Sequence, residues 1–75
     1  MEKEILETAA MAIGLTPEEA ALHYREVPEI DGYYFWEPGR GGVALLINRN
    51  GETLGATSSV SFEKHLQAFL AGRRN

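Results

Sequence analysis

Apolar positions at the start of the chain follow helical spacing. Ile5, Leu6, Ala9, Ala10 and Ile13 fall on one face, which predicts a first helix. Gly14 fits the position just past its end, where a left-handed backbone costs glycine nothing, and Leu15 is the apolar residue that folds back beyond it. Thr16-Pro17-Glu18-Glu19 then reads as a new start. Thr16 can cap free amides, Pro17 suits the first helical position, and Glu19 completes a capping box. The expected second helix runs to about Arg25, and Val27-Pro28 ends it because the residue before proline avoids helical angles.

The period then shortens. Tyr33 to Trp36 read as a strand, and Val43 to Asn48 as a second, nearly continuous apolar one of the central type. Asn50-Gly51 is a strong turn signal, and Glu52 to Ser58 form the third strand. Ser61 can cap a last helix with Phe62, Leu66, Phe69 and Leu70 on its inner face. Gly72 stops it, and Arg73 and Arg74 suit the negative end of its dipole. The expectation is one α+β domain over residues 1–75, in the order α-α-β-β-β-α. A three-stranded antiparallel meander carries its helices on one face.

A two-residue turn at Asn50-Gly51 pairs Arg49 with Glu52, Ile47 with Leu54, Leu45 with Ala56 and Val43 with Ser58. With residues 37–42 as the preceding loop, Trp36 meets Val43 and Tyr34 meets Leu45, so both rings join the core. Tyr33, Phe35 and Leu46 then form an apolar patch on the open face, with Arg40 of the PGRGG loop at its rim. These four are the expected contacts for a protein partner or a second copy of the chain. A bulge would shift the register by one and exchange the inner and outer rings.

Charge is unevenly spread along the 75 residues. Residues 1–37 carry nine acids and two bases, a net −7, while residues 38–75 carry two acids and five bases, a net +3. The acidic half disfavours nucleic acid and favours basic partners. Cysteine is absent, which excludes disulfides and thiolate metal sites. The acidic, amphipathic N-terminal stretch lacks the marks of a signal peptide, and no apolar run suits a membrane span, so the expected setting is cytoplasmic.

Candidate chemistry is sparse. A phosphate loop needs a helix after its glycines, whereas a strand follows PGRGG. His23 and His65 are the only histidines, and no spacing signals a metal set; Ser61 and His65 read as a cap and a helix-surface residue. IGLTPEEAA resembles a helix-turn-helix turn, but its second helix would aim Glu18 and Glu19 at phosphates. The expectation is no enzymatic activity, no cofactor and no metal.

The strand GYYFW, the strand VALLI, the turn NRNGE and the closing SFEKHLQAFL together resemble the small bacterial immunity proteins of the immunity-protein-35 class. That resemblance spans residues 32–70 and implies a helix, a meander and a closing helix that mask a protein partner. LLINRNGETLGA is also similar to the strand pair of PepSY-type modules. The expected function is a non-enzymatic protein-binding or regulatory module. The alternative is a small regulatory module that binds nucleic acid or a ligand.

Overall fold

The structure is a computed structural model that describes residues 1–39, 42–57 and 59–75. Helix α1 spans Lys3–Ile13 and the single turn α2 spans Pro17–Ala20. Strand β1 follows at Tyr24–Val27, then a 3-10 turn at Pro28–Ile30, β2 at Gly32–Trp36, β3 at Val43–Asn48 and β4 at Thr53–Thr57. Helix α3 spans Phe62–Leu70. The four strands form one antiparallel sheet in sequence order, β1-β2-β3-β4. The fold is therefore α+β, with four strands rather than the three expected.

The helix ends follow local chemistry. Gly14 sits at φ 76°, and the Leu15 amide reaches back to the Ala10 carbonyl at 2.9 Å. Thr16 Oγ1 accepts from the Glu19 amide while Glu19 Oε1 accepts from the Thr16 amide, both at 3.1 Å. Ser61 caps α3 by accepting from the Lys64 amide, and Gly72 closes it at φ 99°.

The second helix stops at Ala20 instead of reaching Arg25. The next residues do better as a strand. Tyr24 lays its ring against Tyr33 and Phe35, at 5.8 and 5.4 Å between centroids. Val27, already barred from helical angles by Pro28, becomes fully buried. These gains belong to tertiary packing, which overrides a weak helical tendency.

Register differs from the expected one by a single residue. The Glu37 amide bonds the Val43 carbonyl at 2.9 Å, which brings Glu37 into the ladder and shortens the loop. Trp36 therefore lies opposite Ala44, Phe35 opposite Leu45 and Tyr33 opposite Ile47. At the other hairpin the loop has three residues. The Gly51 amide bonds the Asn48 carbonyl, the Asn48 amide bonds the Glu52 carbonyl, and Gly51 alone in this loop takes positive φ, at 84°. This is a type I turn closed by a glycine bulge. It sets Leu46 opposite Leu54 and Leu45 opposite Gly55. Of the pairs expected from the sequence, Val43–Ser58 falls on a residue outside the described ones; Val43 faces Thr57.

Helices cover both faces of the sheet, not one. Ile5, Ala9, Ala10 and Ile13 of α1 pack with Tyr33, Phe35, Leu45 and Ile47. Leu66 and Phe69 of α3 pack with Val27, Leu46 and Leu54 on the opposite face. Strand β3 is apolar almost throughout because both of its faces are buried. On α3 the inner face is rotated slightly from expectation: His65 is buried at 1% exposure and Leu70 is exposed at 51%.

Candidate functional site

The odd-even swap in β2 decides which aromatic side chains remain accessible. Tyr33 and Phe35 turn toward α1 and are buried, and Leu46 is buried under α3. These three do not form an exposed patch. The one-residue shift at the β2–β3 hairpin turns Tyr33 and Phe35 to the α1 face, and α3 covers the face that Leu46 occupies. Arg40, the fourth expected contact, lies outside the described residues.

Tyr34 and Trp36 take the opposite face, where α3 begins, and both are half-buried. Phe62, the first residue of α3, stands edge-on to Tyr34 with 4.8 Å between centroids and 84° between planes. Trp36 lies 6.0 Å from Tyr34 on one side and 6.2 Å from the ring of His23 on the other. The Arg25 guanidinium sits 4.0 Å above the Phe62 ring. Burial raises the pKa of the Tyr34 phenol above its ordinary value, with the Arg25 charge acting in the opposite sense. Four elements thus contribute to one aromatic end: the α2–β1 connection, β1, β2 and α3.

The geometry of this end suits contact. Aromatic rings offer large area with few rotatable bonds, and arginine over a ring face adds a cation held in place. Sequence reasoning missed Arg25 because it read residue 25 as the end of a helix. It missed Tyr34 and Trp36 because it placed them inward, although it recognised that a bulge would exchange the pairs.

At the opposite margin of α3 a groove runs between the helix and β4. Leu54, Ala56, Val60 and His65 form its apolar part, and Lys64 and Arg73 rim it. The His65 ring meets the Leu54 carbonyl oxygen at 2.6 Å through Nε2. A carbonyl only accepts, so Nε2 carries the proton. Nδ1 is buried and has no hydrogen-bond partner among the described residues.

Arg49 serves the frame. Its Nε bonds Asp31 and its Nη1 bonds Glu2, both at 2.8 Å, tying the chain start and the β1–β2 connection to the β3–β4 hairpin. The Asp31 bond raises the guanidinium's pKa above its ordinary value. Among the described residues no three His, Asp or Glu side chains are gathered to hold a metal, and no helix is long and apolar enough to cross a membrane. No protein-family model, curated protein or solved structure matches the chain.

Proposed function

We propose that this chain is a non-enzymatic protein-binding module that masks or regulates a protein partner, in the manner of a small immunity protein. Its contact surface is the aromatic end formed by Arg25, Tyr34, Trp36 and Phe62. The observation that carries this reading is the placement of Arg25 over Phe62, beside the half-buried rings of Tyr34 and Trp36. Tryptophan, tyrosine and arginine are the residues that dominate binding energy at protein interfaces. Here they cluster at the margin of α3, where the helix no longer shields the sheet.

The test is capture from the native host with the wild-type chain and with Arg25→Glu and Trp36→Ala in parallel. A stoichiometric protein partner is expected with the wild type, and both variants should lose it. Equal recovery by Arg25→Glu would remove the surface from the proposal. Failure to recover any partner by the wild type would remove the function. A toxin-like partner whose activity falls on addition of the chain would identify the immunity role.

A further inference from the structure

We propose that β4 is a docking edge for an extended acidic segment of a partner protein, which adds as a further strand beside it. This surface is separate from the aromatic end and does not depend on that reading.

The two edges of the sheet are unlike. Strand β1 reads YREV, carries two charges, and runs straight into Pro28 and a 3-10 turn. Such features guard an edge against pairing. Strand β4 reads TLGAT, with no charge and no proline. In an antiparallel ladder alternate residues turn their backbone groups outward, and in β4 these are Thr53, Gly55 and Thr57.

Part of that edge already holds a strand-like contact. The Asn75 amide bonds the Thr53 carbonyl at 2.8 Å, and the Gly55 amide bonds Asn75 Oδ1 at 3.0 Å. One residue thus reproduces two bonds of a ladder. The Gly55 carbonyl and Thr57 amide have no such partner among the described residues. An incoming strand would displace Asn75 and pair along the whole edge, the mode by which sheet edges recognise extended peptides.

Charge selects the occupant. The groove beside β4 is lined by Lys64 and Arg73 and by no carboxylate. Neither cation makes an ion pair among the described residues. A second copy pairing through its own β4 would bring the same cations together. One pairing through β1 would meet a strand whose two charges, Arg25 and Glu26, cancel and which is cut short by the turn at Pro28. An acidic strand instead meets both cations, and its side chains on the α3 side lie over Ala56.

Random peptides of about ten residues, long enough to pair along a whole strand, should be selected by display against the full chain. The proposal expects the enriched peptides to be rich in Asp and Glu among strand-forming residues. Their binding should shift the Gly55 and Thr57 amide resonances. The double variant Lys64→Glu/Arg73→Glu should weaken them by about tenfold or more. Asn75→Ala should tighten them about three- to tenfold by removing the competing contact. All three positions are exposed, and circular dichroism checks that each variant is folded. No enrichment, enrichment without acidic bias, or indifference to the charge reversal would overturn the proposal. So would a dimer of the chain through β4. Peptides lost on Arg25→Glu but retained by Lys64→Glu/Arg73→Glu would belong to the aromatic end and would overturn it equally.

Discussion

His65 donates from Nε2 to the Leu54 carbonyl oxygen at 2.6 Å, joining the middle of α3 to strand β4. The Leu54 carbonyl belongs to the β3–β4 ladder as well, so the histidine is an additional donor to an oxygen the sheet already uses. Its other nitrogen is buried without a partner among the described residues. One gained hydrogen bond and one unsatisfied acceptor of similar worth nearly offset each other. His65→Leu should therefore leave urea stability within about 1 kcal/mol of wild type. His65→Ala should cost about 2–4 kcal/mol, because it leaves a cavity against Tyr34 and Leu54. Equal losses in the two variants would show that the hydrogen bond, and not the volume, holds α3 to the sheet.

Gly32 is constrained by proximity. A Cβ built there would meet the Ile47 carbonyl oxygen and come within 2.6 Å of the Asn48 Cα. These are backbone atoms of the neighbouring strand and cannot rotate away. Gly32→Ala should cost about 1–3 kcal/mol by overpacking. Gly55→Ala is the control, since its Cβ would meet only ordinary contacts at 3.6 Å or more.

The hairpin at Asn48 depends on one side chain. Asn48 Oδ1 accepts from the Asn50 and Glu52 amides, and its Nδ2 donates to Glu52 Oε1 at 2.8 Å. Asn48→Leu fills the space but leaves two amides without their acceptor, and should cost about 1–3 kcal/mol. Gly51→Val should cost on the order of 1–3 kcal/mol by forcing a β-branched residue to positive φ. Denaturant midpoints measure both. A hairpin indifferent to Asn48→Leu would mean that the backbone turn alone sets the register.

That hairpin also marks the limit of what the chain's pattern made legible. Helix caps were readable because each is decided within a few residues: Thr16 with Glu19, Ser61 with Lys64, Gly14 and Gly72 at their positive φ. The α+β class was readable from the change of period between Ile13 and Tyr33. Asn50-Gly51 was read as a two-residue turn. Yet Asn48 and Gly51 occupy the first and fourth positions that a type I turn favours, and that reading gives the observed loop. The difference is one residue, and it moves Leu54 from the face of Ile47 to the face of Leu46. A separate one-residue shift at the β2–β3 loop, closed by the Glu37 amide on the Val43 carbonyl, exchanges Tyr33 and Phe35 for Tyr34 and Trp36 at the candidate surface. Strand β1 was hidden because nothing local in HYREV opposes a helix before Val27. Only the rings of Tyr33 and Phe35, distant in sequence, favour the strand.

The capping box gives a pH dependence. The backbone amide of Thr16 and then its hydroxyl bond the Glu19 carboxylate, lowering its pKa below the ordinary 4.5. A carboxylate whose folded pKa is depressed stabilises the fold fully above its unfolded value. That contribution fades as pH falls through 4.5 and on toward the lower folded value. Glu19→Gln keeps a side-chain acceptor without the charge. Its stability should fall less than the wild type's over the same acid range. Parallel acid curves for the two chains would show that the Glu19 charge contributes nothing.

The last expectation separates the two aromatic pairs of β2. Phe35 is fully buried, touched by the Tyr24 and Tyr33 rings and set among the apolar side chains beneath α1. Phe35→Ala should cost about 3–5 kcal/mol, a large share of what so small a domain has. Trp36 is half-buried and opposite the small Ala44, so truncation removes less contact. Trp36→Ala should cost about 1–2 kcal/mol and leave the far-ultraviolet spectrum of a folded chain. Because Trp36 is the single tryptophan, the wild-type protein supplies a second measurement. Its fluorescence should be quenched by acrylamide to a degree between that of a buried and a free indole. Binding of the partner should shift the emission to the blue and suppress that quenching. An indole already inaccessible in the free chain would place Trp36 in the core and leave Tyr34, Phe62 and Arg25 too small a surface to act as the binding end.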